Sequence, residues 1–216
     1  MATTERAYLP AAGHDWFLPL YDPLTKLLGF DSVRRMLLDR AGLQPHHRVL
    51  DVGCGTGTLP VLVKRHHPDV EVTGLDPDPN ALARAARKAR RAGGSIRFDR
   101  GFADALGYAD ATFDRVFSSM MFHHLEGGEK ERTLAEIRRV LKAGGRLEFV
   151  DFAEHGAERH GILSHLTHSH HRLRDNTDGR LLDLMAGAGF DHPAKVGEQH
   201  TLFGTVGFFQ ARAAAA

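Results

Sequence analysis

Cysteine is nearly missing. Cys54 is the single thiol in 216 residues, which excludes an intrachain disulfide framework and any zinc cage built of cysteine alone. A reducing compartment is the expectation from that usage. An excess of either charge is missing too: 28 Lys plus Arg stand against 27 Asp plus Glu, net +1 with histidine neutral. No strong field is present to gather nucleic acid or an anionic membrane. Long apolar runs are absent, since none approaches about 18 residues. Residues 1–20 hold Glu5, His14, Asp15, Pro10 and Pro19 where a secretory signal would need an apolar core. Together these absences predict a cytoplasmic chain that does not span a membrane. What remains, 42% hydrophobic and 25% charged residues, is ordinary globular composition. At roughly 150 residues per domain it predicts one large domain.

From about Arg48 onward, short apolar runs alternate with amphipathic stretches, the pattern of repeated strand-helix units around a mostly parallel sheet. The spacing predicts strands at 48–52, 71–75, 96–100, 114–118 and 146–152, and helices at 58–66, 80–92, 130–141 and 181–187. Gly144 and Gly145 supply a turn before the last of those strands, and 192–198 with 203–211 form a closing hairpin. In the helix at 80–92, Ala81, Leu82, Ala85 and Ala89 share one face, and the opposite face is basic and solvated.

Two segments fall outside this rhythm. Residues 1–46 are expected to form an N-terminal helical lid, with a helix at 32–41 carrying Val33, Met36, Leu37 and Ala41 at helical spacing. Before it come Tyr8, His14, Trp16, Phe17 and Tyr21, an aromatic-rich group expected to cover a substrate pocket. Residues 153–177 form a second insertion with His155, His160, His165, His168, His170 and His171. Pairs three apart among them could share a helix face, but no acid lies between His165 and His171, and no metal site is expected. Ala213 to Ala216 read as a frayed tail after a main domain over 47–212.

The chemistry lies in Arg48-Val49-Leu50-Asp51-Val52-Gly53-Cys54-Gly55-Thr56-Gly57, a strand running into three alternating glycines. The loop G-x-G-x-x-G that holds a dinucleotide fails here: Thr58 or Pro60 stands where the last glycine belongs. The phosphate loop ending in G-K-S or G-K-T fails as well. Asp51 at the mouth would repel a phosphate and attract a cation. Asp76 ends the next strand, where in a doubly wound fold a carboxylate accepts two hydrogen bonds from a ribose diol. Cys54 is a small filler between glycines. A nucleoside with a cationic tail satisfies every one of these features.

The motif D-x-G-x-G-x-G after a strand and the acid ending the next strand recur with Phe113-Asp114-Arg115-Val116-Phe117-Ser118-Ser119-Met120-Met121-Phe122-His123-His124-Leu125 and Leu141-Lys142-Ala143-Gly144-Gly145. Across about 45–152 this set resembles class I S-adenosylmethionine-dependent methyltransferases, in the branch that includes ubiquinone, menaquinone and phospholipid-head-group enzymes. The resemblance implies an α/β fold: a doubly wound, Rossmann-like, seven-stranded and mostly parallel sheet with an antiparallel C-terminal hairpin. It implies S-adenosylmethionine as cofactor, with Asp51, Gly53, Cys54 and Gly55 at its methionine end. Asp76 would take the ribose hydroxyls, Pro77 would lie beside the adenine, and Ser118 and Ser119 near the amino group. Many relatives place Gly-Asp-Ala where this chain reads Gly101-Phe102-Ala103-Asp104-Ala105-Leu106. Either Phe102 packs on the adenine beside Ala103, or Asp104 reaches in by a shifted turn.

Methyl transfer is one in-line displacement, so the protein chiefly aligns the reactants and excludes water; a protic acceptor also needs a general base. His123 and His124, at the carboxyl edge of the fourth strand, are the candidates, set against a role in packing or capping the next segment. The function expected is transfer to an O, N or C nucleophile of a small apolar or aromatic acceptor by a monomer or homodimer. No nucleic-acid partner is expected, and the basic region 81–100 allows peripheral lipid contact. Two alternatives stand beside it. A macromolecular methyltransferase would fit less well with near-neutral charge and no Asn/Asp-Pro-Pro-Tyr/Phe motif, and a non-catalytic cofactor binder would keep the loop but close the acceptor pocket.

Overall fold

Alternating side chains divide between two faces once extended runs pair into a sheet. The computed structural model describes residues 22, 24–25, 28–152, 178–202 and 204–214. Its strands are β1 (Arg48–Val52), β2 (Glu71–Asp76), β3 (Arg97–Arg100), β4 (Phe113–Ser119), β5 (Leu141–Phe152), β6 (Phe190–Thr201) and β7 (Gly204–Ala213). They form a 7-stranded sheet in the order β3-β2-β1-β4-β5-β7-β6. The five strands from β3 through β5 pair in parallel, and β7 pairs antiparallel with both β5 and β6. The helices are α1 (Phe30–Arg40), α2 (Thr58–His66), α3 (Pro79–Arg91), α4 (Glu129–Val140) and α5 (Asp178–Gly187).

Each face of the sheet has its own core. Leu50, Val116, Phe149 and Phe209 pack with Leu134 and Ile137 of α4 and with Leu181 and Met185 of α5. Their strand neighbours Val49, Phe117, Val150 and Phe208 pack on the opposite face with Val33 and Leu37 of α1 and Leu59 and Val63 of α2. The helix α3 approaches closely because its buried stripe is only Ala81, Ala85 and Ala89. It starts where Asp78 accepts the backbone N–H of Asn80 at 2.8 Å and Pro79 fills the first turn.

Strand order reverses beside β1, with β2 on one side and β4 on the other. In open α/β sheets the crevice at the carboxyl ends of such strands is where ligands bind. The glycine loop leaves β1 at that place.

Several boundaries differ from the sequence reading. Helix α1 packs on the sheet, with Phe30, Val33, Leu37 and Leu38 buried in the core. Its C-terminal carbonyls are taken by three strands. Arg146 donates to Arg40 and Ala41 at 3.0 and 2.6 Å, Arg115 to Ala41 at 2.8 Å, and Gln210 to Arg40 at 3.2 Å. The glycine turn lies within β5 rather than before it: Leu141 already pairs with Phe113, and Gly144, at φ 72, lies where the register slips before Arg146 pairs with Arg115. Pro193 is tolerated because β6 is the sheet edge and the register shifts between Asp191 and Ala194. Ala213 is 1% exposed in β7, so the sheet includes the first residue of the expected tail.

Candidate functional site

All three glycines of the loop are left-handed, with φ 75 at Gly53, 51 at Gly55 and 76 at Gly57, a conformation that other residues adopt only under strain. Close packing adds a second demand. A Cβ on Gly57 would come within 2.7 Å of the Ala85 methyl, and one on Gly53 would strike the side chain of Met121. Part of the glycine pattern therefore serves neighbours inside the protein.

The loop's donors are turned inward. Gly53 and Cys54 give their N–H groups to the Leu75 carbonyl at 2.8 and 3.0 Å, Gly55 gives its N–H to Asp76 Oδ2 at 2.8 Å, and Gly57 bonds Cys54 at 2.9 Å. A diphosphate approaching this loop would find these four amides already engaged, which explains physically why the spacing differs from a phosphate-binding loop.

Acceptors, by contrast, are left over. Asp51 is 3% exposed and its Oδ1 has no hydrogen-bond partner among the described residues. Ser118 is fully buried on the adjoining strand, and its Oγ is equally without one. Burial, with the negative charge of Asp76 nearby, pushes the Asp51 carboxyl up to about 7, while Arg34 of α1 works against that rise. Asp76 accepts N–H groups from Gly55 and, at 3.0 Å, from Asp78; burial still pushes it up to about 6. Two buried carboxyls resisting ionisation beside one loop favour a ligand that brings positive charge and N–H or O–H donors. These residues fit the methionine ammonium and the ribose hydroxyls of S-adenosylmethionine.

Other expected residues are distributed as follows. Cys54 is buried with its thiol pushed up by burial and by Asp51 and Asp76, in keeping with a filler. Pro77 is half-buried between the loop acid and α3, with its carbonyl accepting from Arg100 at 3.1 Å. Phe102 and Ala103 lie half-buried in the segment after β3. The carboxylate of Asp104 is engaged by Arg132 of α4 at 3.2 Å, which competes with a reach toward a nucleoside base. Ser119 pairs with Val150 at the end of β4. Tyr8, His14, Trp16, Phe17, Tyr21 and the histidines of 153–177 lie outside the described residues. Among the described residues no group of three or more His, Cys, Asp or Glu could hold a metal.

His123 and His124 occupy a 3-10 turn, Phe122–His124, reached from β4 through Met120, whose φ of 57 is strained for a side chain of its size. The turn lies against the loop, because Met121 covers Gly53. His123 Nδ1 is 2.7 Å from Asp151 Oδ1, and the two histidine rings lie 4.1 Å apart.

Four residues of the site escaped the sequence reading. Asp151, next to last in β5, is fully buried against His123. Arg34 faces the Asp51 region from α1. Phe98 of β3 packs under Gly57 and Gly74. Asp22 accepts from Thr56 at 2.6 Å and from Thr58 at 3.2 Å and pairs with Lys88 at 2.7 Å, tying the N-terminal region to the loop. A terminal acid after Glu148-Phe149-Val150 was the one available signal for Asp151; the others depend on contacts far apart in sequence.

Comparison with known proteins gives the family and the fold. Residues 49–145 match the family described as a methyltransferase domain. A demethylmenaquinone methyltransferase of Thermus thermophilus is 39% identical over 137 residues, covering 62% of this chain and 61% of that protein. A probable methyltransferase, ltbC, of Aspergillus luteorubrus is 33% identical over 199 residues, covering 82% of this chain and 69% of that one. Among solved structures, the phosphoethanolamine N-methyltransferase 2 of Haemonchus contortus superposes with a TM-score of 0.79 at 15% identity, over 94% of this chain and 58% of its own. That likeness is one of fold. The chain spans 61% and 64% of the length of the two demethylmenaquinone methyltransferases it matches, from Thermus thermophilus and Deinococcus radiodurans.

Proposed function

The chain belongs to the class I S-adenosylmethionine-dependent methyltransferases, and from that premise we propose that it transfers a methyl group to an O, N or C nucleophile of a small apolar or aromatic acceptor. One observation carries the reading: a fully buried carboxylate oxygen on Asp51 lacks a donor beside a loop whose own amides point elsewhere. Asp51, Gly53, Cys54 and Gly55, with Ser118 and Ser119, would hold the methionine end, and Asp76 with Pro77 the nucleoside. Phe102, Ala103 and Asp104 belong to the segment that would close over the base. The similarity to demethylmenaquinone methyltransferases, and the weak charge of the chain, favour a quinone-like acceptor over a macromolecule.

When bound, the cofactor supplies a methyl carbon already activated by a positive sulfur. The remaining work falls to side chains. Asp51 would fix the methionine ammonium by charge and Asp76 the ribose by hydrogen bonds, and Met121 covers Gly53 at the mouth. His123, with the His124 ring tilted against it, takes a proton from an acceptor that must lose one. A cytoplasmic location, action on a small molecule as monomer or homodimer, and an acceptor pocket closed by Tyr8, His14, Trp16, Phe17 and Tyr21 complete the proposal. No helix among the described residues is long and apolar enough to cross a membrane.

The test is a screen of quinols, phenols, amines and phospholipids that measures adenosylhomocysteine as product. Turnover confined to apolar or aromatic acceptors supports the reading. Cofactor binding with no transfer across the panel would replace it with a non-catalytic binder.

A further inference from the structure

We propose that Asp151 is a positioning residue that fixes His123 as a base through Nε2, and that the acceptor is therefore one whose attacking atom must lose a proton: a phenol, an enol or an acidic carbon. This rests on the methyl-transfer reading and narrows its substrate class.

The carboxylate of Asp151 is fully buried and accepts three N–H groups. Oδ1 receives Nδ1 of His123 at 2.7 Å and the backbone N–H of Phe152 at 2.8 Å, and Oδ2 receives the backbone N–H of His123 at 3.2 Å. An ionised carboxylate can only accept, so the short contact at Nδ1 is an N–H donated by the ring. In the neutral imidazole that leaves the lone pair on Nε2. Burial alone would drive the Asp151 carboxyl up, yet the His123 charge and these N–H groups hold it below its usual range.

One residue thus grips another twice, by backbone and by ring, which removes the freedom of the imidazole to turn. The ring is further packed by His124 at 4.1 Å and by Phe152 edge-on at 5.1 Å. Among the described residues the titratable groups against it are Asp151 and His124. A buried carboxylate adds little stability over well-packed apolar residues of the same volume, so stability alone gives weak grounds for this arrangement. The pair lies at the mouth, two residues past the methionine that covers Gly53.

Transfer to a thiolate or a tertiary amine needs no base. For a hydroxyl or acidic carbon it does: Nε2 takes the proton as the acceptor's electron pair bonds the methyl carbon, and the pair of the broken carbon–sulfur bond stays on sulfur. The neutral imidazole becomes a cation that faces the Asp151 charge.

Nitrogen-15 NMR of histidine-labelled full-length chain tests the pair directly, with His123→Gln to assign its signal. The expected result is a neutral His123 held as the Nδ1–H form, which is lost in Asp151→Asn because the amide presents N–H to one of the positions now accepting. In the same Asp151→Asn protein, calorimetry should give unchanged adenosylhomocysteine binding. Turnover of phenols should fall by at least about 100-fold in kcat with KM little changed. The loss should shrink as ring substituents make the phenol acidic enough to ionise unaided, and Asp151→Glu should restore part of the rate. A His123 signal in the Nε2–H form, or one unmoved by Asp151→Asn, overturns the proposal. So does turnover restricted to thiols or tertiary amines. Absence of adenosylhomocysteine binding in the unaltered chain would overturn the methyl-transfer reading instead, leaving the NMR result to decide the pair.

Discussion

Asp51 and Asp76 are acids placed where their charges are costly. Burial raises both, to about 7 and about 6, so the folded chain holds protons that the unfolded chain releases nearer 4. The sign follows: stability from these groups is complete below the unfolded value and is lost as pH rises through the folded values. The ligand-free chain should therefore melt at a higher temperature at about pH 5.5 than at about pH 8, and Asp51→Asn should flatten that slope. Differential scanning calorimetry measures both. A cationic ligand needs the ionised acids, so its affinity should move the other way and weaken as pH falls through about 7 to 6, with protons released on binding. Titrations in buffers of different ionisation enthalpy detect that release. Asp51→Asn should weaken adenosylmethionine by roughly 10- to 100-fold while stabilising the empty protein; unchanged affinity would remove Asp51 from the site.

At the scale of elements, two anchors hold the site in place. The C-terminus of α1 is tied to β4, β5 and β7 by Arg115, Arg146 and Gln210. Replacing Arg146 by Ala removes two donors to helix carbonyls and a partner of buried Glu148, at 2.9 Å, and should lower stability by about 2–3 kcal/mol. Chemical denaturation measures that loss. The second anchor is the Asp22–Lys88 pair at 2.7 Å, which grips Thr56 and Thr58. Both side chains are partly exposed, so Asp22→Asn should cost only about 1 kcal/mol, with faster hydrogen exchange at the glycine loop as its signature. Exchange unchanged at residues 53–58 would show that the loop holds itself.

These anchors also mark what could be read in advance. The strand-loop-helix around Gly53 to Gly57 was legible because alternating glycines after an apolar strand mark left-handed turns locally, although the loop's amides bond Leu75 and Asp76 of the next strand. Arg146 to Arg40, Asp22 to Thr56 and Asp151 to His123 join residues that only the folded sheet brings together. No local pattern announces them. The turn expected at Gly144–Gly145 falls within β5 rather than ahead of it, because Leu141 already pairs with Phe113 across the sheet.

For the whole molecule, the sheet order puts the ends of β1 and β4 side by side at the reversal of strand order, with β5 delivering Asp151 to the same edge. The proposed cofactor loop and base therefore come from three adjacent strands, which would give the site a rigid footing and leave selection of the acceptor to segments outside the sheet. The central claim is that this edge holds a sulfonium nucleoside and rejects a diphosphate. Titration calorimetry of the full chain near neutral pH with adenosylmethionine, adenosylhomocysteine and a nicotinamide dinucleotide tests it most directly. Saturable heat from the first two, reduced at least about 10-fold by Asp76→Ala, with none from the dinucleotide, is the predicted result. Tight uptake of the dinucleotide and none of the sulfur nucleosides would contradict it.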